Sequence, residues 1–210
     1  MKRILLLAIG LWVSLLSAVS IQAADSTVIL SDYLRGMNNI EAQFVQHTFD
    51  GKGALLQTQK GSLQLKRPNK FRWQSQSPFE QLLLSNGETL WQYDEDLEQV
   101  SIQPLDQRLS VTPALLLTGN VKSIAQEYEV YGEALDSEYH FVLIPKRHDT
   151  LFDRLRLEFD GNKLLSRMVI KDEVGQKTII RLLNVKQAQV LDDSQFEFTI
   201  PPGIDVIRAQ

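Results

Sequence analysis

The side chains that could do chemistry in this 210-residue chain are few, and their spacing excludes most reactions. The three histidines, His47, His140 and His148, do not stand at metal-ligand spacing from one another, and there is no cysteine to complete such a set. His140 falls in an alternating stretch and His148 in the basic run Lys146-Arg147-His148, so both read as ordinary satisfied or solvated histidines. A Gly-x-Ser-x-Gly elbow and a phosphate-cradling glycine loop are both missing. The acidic run Asp94, Glu95, Asp96 and Glu98 lacks the central glycine and the ligand spacing of a calcium loop, and reads as a solvated hairpin tip. With no nucleophile–base pair, the sequence points away from an enzyme and requires neither a metal nor a cofactor.

Arg67 is the exception. From Gly61 to Trp73 the odd positions read Gly61, Leu63, Leu65, Arg67, Asn69, Phe71 and Trp73, while the even ones are polar or basic apart from Pro68. A strand sends alternate side chains to opposite faces, so the stretch has one apolar face and one wet face. Arg67 shares the parity of the leucines. A guanidinium that keeps its charge needs a partner there, and an arginine among apolar residues suits a working cavity better than a sealed core. Two roles stay open on parity alone: a gate to the cavity, or a rim arginine paired with a carboxylate such as Asp153 or Glu158. Rings and charges also mingle at Lys70-Phe71-Arg72-Trp73, as in single-strand nucleic-acid binders. Parity puts them on opposite faces, which defeats a joint role, and no nucleic-acid partner is expected.

The elements that must position these residues are mostly strands. A helix comes first, with Val28, Ile29, Tyr33, Leu34 and Met37 at helical spacing and Gly36 at its end. Alternation then marks strands around Ile40–Phe44, Gly61–Trp73, Leu82–Leu84, Thr89–Tyr93, Glu98–Ile102, Glu127–Tyr131, His140–Ile144, Leu155–Phe159, Leu164–Lys171 and Lys177–Val185. Asn86-Gly87 and Asp160-Gly161 signal hairpins, and the whole predicts a meandering antiparallel sheet of about ten strands. Thr112 as cap, Pro113 at the first helical position and Gly119 as stop predict a short helix bearing Leu115, Leu116 and Leu117. Asp192, Asp193 and Ser194 suggest a last turn, and Pro201-Pro202 ends the last strand. A sheet with one apolar face and a helix apolar nearly all round are expected to cover each other around an apolar space.

The N-terminus fixes the compartment. Met1, Lys2 and Arg3 precede an apolar run from Ile4 to Val19, and Ala23 and Ala24 supply small residues before Asp25. That order predicts a cleaved signal peptide over 1–24 and one domain over 25–210, located in the periplasm. The run is short for a membrane span and no Cys follows it, so no lipid anchor is expected. Loss of Lys2 and Arg3 takes the net charge from −4 to −6, which disfavours nucleic acid and anionic membrane surfaces as partners.

Lys66-Arg67-Pro68-Asn69-Lys70-Phe71-Arg72-Trp73, followed by Ser85-Asn86-Gly87-Glu88-Thr89-Leu90-Trp91, resembles the periplasmic outer-membrane lipoprotein carrier family, LolA. The likeness extends through Phe44-Val45-Gln46, Thr112-Pro113 and the closing Phe196-x-Phe198-Thr199-x-Pro201-Pro202, and so covers the mature chain. It implies an incomplete antiparallel β-barrel with short helices as a lid over a hydrophobic cavity. It implies lipoprotein cargo, received from an inner-membrane ABC transporter and passed to an outer-membrane receptor. By the same resemblance Arg67 is the lid-gating arginine, bonded to main-chain carbonyls of the lid, and Phe71 is the key phenylalanine of the segment. The candidate cavity wall is Phe44, Leu63, Leu65, Phe71, Trp73 and Trp91, and the candidate lid is Leu115, Leu116 and Leu117. Lys70 departs from the family pattern, on the outward parity. A monomeric carrier is the expected reading, with a periplasmic lipid-sensing or regulatory module on the same half-barrel as its alternative.

Overall fold

Long runs of period-two burial decide the architecture. The computed structural model describes residues 19–105, 113–148, 150, 152–188 and 190–208. Helix α1 spans Val19–Gly36, and the first half of the sheet follows as β1 (Asn39–Phe49), β2 (Leu55–Lys66), β3 (Lys70–Ser77), β4 (Gln81–Asn86), β5 (Thr89–Asp94) and β6 (Gln99–Pro104). Helix α2 (Pro113–Thr118), a 3-10 turn at Val121–Ser123 and α3 (Ile124–Glu127) then intervene. The second half is β7 (Tyr128–Leu135), β8 (Glu138–Pro145), β9 (Arg154–Phe159), β10 (Leu165–Lys171) and β11 (Lys177–Gln187). A 3-10 turn at Asp193–Phe196 and β12 (Asp205–Arg208) close the chain.

The twelve strands form one open sheet in the order β12-β6-β5-β4-β3-β2-β1-β11-β10-β9-β8-β7. Its ends do not meet, so the barrel is incomplete, as expected. All pairings are antiparallel except β12 beside β6, which is parallel. That strand lies beyond Pro201-Pro202, where the sequence reading ended the last strand. It is four residues long and exposed throughout, so no alternation of burial announced it.

Two other expectations change. Gly61–Trp73 is not one strand but the end of β2, a turn and the start of β3. Leu63 faces Trp73 and Leu65 faces Phe71 across the turn, so the alternation carries through it and looks continuous in sequence. In α1 the buried side is Leu30 and Leu34, continued by Met37 just beyond its end, with Ile29 and Tyr33 partly buried, whereas Val28 is 63% exposed. The Thr112 cap lies outside the described residues.

One face of the sheet carries the core. Ile40, Phe44, Leu63, Leu65 and Phe71 on one half, and Val130, Phe141, Leu143, Leu155, Leu157 and Phe159 on the other, join Leu30 and Leu34 of α1 and the leucines of α2 in one apolar cluster. Two glycines permit this closeness. Gly61 lies opposite Phe44, whose ring covers it, and a Cβ there would stand 1.9 Å from the Gln74 carbonyl oxygen. A Cβ on Gly132 would come within 3.2 Å of Ser26 Oγ on α1. The helix therefore rests directly on edge strand β7.

Candidate functional site

Arg67 sits in the β2–β3 turn, and its backbone is fixed before its side chain acts. The Arg67 N–H donates to the Asn38 carbonyl at 2.9 Å. Asn69 follows with φ of 58°, a left-handed conformation that Asn tolerates and that lets the chain reverse. The Asn69 N–H then donates to the Thr118 carbonyl at 3.0 Å, and Arg67 Nη1 donates to the Gly119 carbonyl at 2.6 Å. Two main-chain carbonyls at the end of α2 are thus fastened to one turn of the sheet. Of the two roles open to Arg67 on sequence, a pair with either carboxylate named for it, Asp153 or Glu158, is not formed among the described residues. Glu158 faces away from the lid and is held by Arg156 Nε at 3.1 Å and Arg167 Nη1 at 3.4 Å, while Asp153 is exposed.

The fastening is incomplete. Arg67 Nε and Nη2 are buried with no hydrogen-bond partner among the described residues. Burial pushes the guanidinium pKa down to about 10, which measures how poorly the site solvates the charge. Each unsatisfied buried donor costs about 1–3 kcal/mol, and the bond to Gly119 contributes about 1.5–3 kcal/mol, so that bond offsets only part of the cost of burying Arg67. The contact between this turn and the end of α2 is therefore weak in net terms.

The lid itself is short. In α2, Ala114 to Thr118 are all buried, and the Thr118 hydroxyl turns back to the Ala114 carbonyl at 2.9 Å. Six residues cannot form a stable helix alone, so packing of Leu115, Leu116 and Leu117 on the sheet must hold it. Below them Leu63, Leu65 and Phe71 are fully buried and Phe44 nearly so. Phe44 also meets the Trp73 ring at 4.9 Å between centroids. Trp73 is only partly buried, at the border of the cluster. The leucines of α2 join these residues in one apolar cluster.

Register removes Trp91 from this wall. Ser85 pairs with Leu90 and Leu84 with Trp91, so Leu90 faces the lid side and Trp91 the other. Trp91 lies on the face where Leu84 and Val100 are buried and where Tyr93 meets Phe198 of the C-terminal segment, 5.4 Å between centroids. The Asn-Gly signal gave the hairpin but not its phase: the phase follows Ser85, a polar residue on the apolar side. Lys70 is outward as expected, where it and Lys66 hold Asp193 at 2.9 and 2.6 Å.

Ser85 is the functional candidate that the sequence did not disclose. It is fully buried, its hydroxyl donates to the Asn69 carbonyl at 2.9 Å, and it accepts from the Gly87 N–H at 3.1 Å. It thereby ties the β4–β5 hairpin to the turn that carries Arg67. A serine beside Asn-Gly reads as turn chemistry, and only the fold brings it to Asn69.

On the opposite face Glu138, His140 and Glu158 bring three potential ligand atoms within 4.8 Å of one another. Arg156 Nη2 donates to His140 Nδ1 at 2.7 Å and His140 Nε2 lies 2.8 Å from Glu138. With Arg156 and Arg167 also on Glu158, two guanidinium groups already take the cation's place.

The family described as outer membrane lipoprotein carrier protein LolA matches residues 35–199. The outer-membrane lipoprotein carrier protein of Pseudomonas aeruginosa is 48% identical over 188 residues, covering 89% of this chain and 90% of the relative. That of Azotobacter vinelandii is 46% identical over 194 residues, covering 91% and 93%. A LolA superfamily protein from Nitrosomonas europaea shares the fold at a TM-score of 0.51 and 14% identity, over 85% of this chain and 99% of that one. A short helix bonded through Arg67 to the apolar face of an open sheet and these matches across most of the sequence agree: the chain belongs to the LolA family of outer membrane lipoprotein carrier proteins.

Proposed function

We propose that this protein is a soluble periplasmic carrier that takes lipoproteins released by an inner-membrane ABC transporter and hands them to an outer-membrane receptor. The observation that carries the reading is the lid: a fully apolar helix, too short to stand alone, fastened to the sheet through Arg67 and Gly119. Each methylene removed from water contributes about 0.8 kcal/mol, so an acyl chain of ~15 methylenes approaches ~12 kcal/mol. Such cargo needs cover to cross water, yet a carrier that retained all of that energy would not release it. The lid leucines occupy the apolar face when no cargo does, so cargo displaces an existing apolar layer and gains only the difference. The small margin of the Arg67 fastening keeps that exchange reversible.

The acyl chains leave intact, since carriage needs only a lid that opens. Mixing the purified mature protein with a labelled lipoprotein tests the reading. A soluble one-to-one complex with unmodified acyl chains, transferable to acceptor membranes, is the expected result. Cleaved chains, or lipoprotein that stays aggregated, would refute it.

A further inference from the structure

The lid side of the sheet is not apolar along its whole length. Register lines its residues up in rows across β2 to β5. Nearest the Arg67 turn stand Leu65, Phe71, Ser85 and Leu90; next come Leu63, Trp73, Leu83 and Gln92; then Gly61, Ser75, Gln81 and Asp94. Burial follows the same direction. Leu65 and Phe71 are fully buried, Trp73 and Leu83 partly with Gln92 exposed beside them, and in the last row Gln81 is exposed and Asp94 partly so, while Gly61 and Ser75 stay buried. An open cleft of about 240 Å³ lies at this polar end, with Trp73 and Leu83 on one side and Gln59, Ser75, Gln81 and Gln92 around it. It lies about 13 Å from the Arg67 end, four strand residues from Phe71 to Ser75 at roughly 3.3 Å each.

The cleft has a definite hydrogen-bonding character. Gln59 accepts from Gln46 Nε2 at 2.8 Å, which leaves its own N–H groups to donate. Gln81 Nε2 donates to Asp94 at 2.8 Å, which leaves its carbonyl to accept. The Gln92 amide has neither a donor nor an acceptor partner among the described residues and offers both. Asp94 is the one charged lining residue, and no Lys, Arg or His lines the cleft. Neutral amides beside a single carboxylate suit peptide groups and repel phosphate.

We infer that this cleft seats the amide-bearing N-terminal peptide of an acylated cargo, so that the acyl chains run from it toward the Arg67 end, and that it selects lipopeptides over phospholipids with the same chains. The inference rests on the carrier reading and adds the orientation and the headgroup class. The cargo's folded part must stay in water, and the polar end of β2 to β5 is open to it.

Two measurements test it on the mature protein. A synthetic lipopeptide carrying a photoreactive group on the residue after the acylated one should label β4 or β5 near Gln81 and Gln92. The same lipopeptide labelled at the acyl terminus should mark β2, the β2–β3 turn or α2. Reversed or evenly spread labels overturn the orientation. In the second, lipopeptide and a lysophosphatidylglycerol of equal chain length compete with a fluorescent fatty acid. The lipopeptide should compete at least tenfold better, and Gln81→Leu with Gln92→Leu should bring that ratio near one. Equal competition by both lipids in the unaltered protein, or a ratio untouched by the double variant, overturns the headgroup assignment. If neither lipid forms a complex, the carrier reading fails with it.

Discussion

At the scale of single residues, Arg67 and Phe71 have different duties and their variants separate them. Arg67→Leu removes the bond to Gly119 and also the two unpartnered nitrogens. The closed form loses a directed bond, and relief of the buried donors compensates part of that loss, so cargo retention should rise severalfold rather than by the full worth of the bond. The variant should still accept lipoprotein from inner membranes and deliver it poorly to acceptor membranes; normal delivery would reduce Arg67 to a structural residue. Arg67→Lys should fall between, because one ammonium cannot match the planar fork that reaches Gly119. Phe71 lies under the lid, fully buried in the face that cargo would occupy. Phe71→Ala should cost about 3–5 kcal/mol of stability in the empty protein, read as a lowered thermal midpoint. Phe71→Glu separates two states of that site. If the lid opens readily the carboxylate hydrates, the fold survives and acceptance of cargo fails; if the layer is sealed, circular dichroism shows unfolding. The sequence revealed both residues, because parity with Leu63 and Leu65 marked them. It misread Arg67 as a strand position, since a two-sided alternation continues unbroken through a turn in which Leu65 meets Phe71 directly.

At the scale of elements, the lid, its turn and the C-terminal segment are held by contacts of unequal visibility in the sequence. Strands and hairpins were legible because burial alternates along them and Asn86-Gly87 and Asp160-Gly161 punctuate them. Helix α3 and strand β12 were not: one has a single buried residue, Ile124, and the other none. Nor could local pattern show that the Ser85 hydroxyl reaches Asn69, sixteen residues away. Ser85→Ala leaves the Asn69 carbonyl and the Gly87 N–H short of a partner, at a cost of about 1–3 kcal/mol. If Ser85 positions the gate, hydrogen exchange at the Asn69 amide should quicken more than at amides in the middle of β4. A uniform change across the sheet would make it a stability residue only. The C-terminal turn gives a pH-dependent counterpart. Hydrogen bonds from Lys66 and Lys70 hold the Asp193 carboxyl below the ordinary aspartate value of 3.8. A depressed folded-state value means the contribution is complete above that ordinary value and lost as pH falls through the lowered one. The 193–196 turn should therefore loosen from β3 and β4 only under strong acid, seen as faster exchange there, and Asp193→Asn should weaken that dependence, leaving the part due to Asp192, whose carboxyl the Ser194 N–H also holds low.

At the scale of the whole molecule, the open sheet divides its work between its two faces and its two ends. The face away from the lid carries the Glu138, His140, Arg156, Glu158 and Arg167 network and the C-terminal segment packed at Tyr93. Along the lid side, one end is fastened and apolar and the other is open and polar. This arrangement separates the stability of the scaffold from the stability of the closed lid. Gly61 offers a test. Phe44 lies across it, and a methyl group there would meet the Gln74 carbonyl of β3. Gly61→Ala must therefore push β2 and β3 apart at the border between the apolar layer and the polar cleft. Overpacking of that kind costs about 1–3 kcal/mol. A lesion at this border should lower the thermal midpoint, whereas Leu84→Ala, buried on the face away from the lid, should lower it and leave the ratio of cargo uptake to cargo release as it was. Arg67→Leu should do the reverse, shifting the ratio with little change in the midpoint. Measuring both quantities on Leu84→Ala and Arg67→Leu gives two independent axes. Should these two variants fall on one line, with release tracking thermal stability alone, lid and scaffold would be a single cooperative unit and Arg67 no gate.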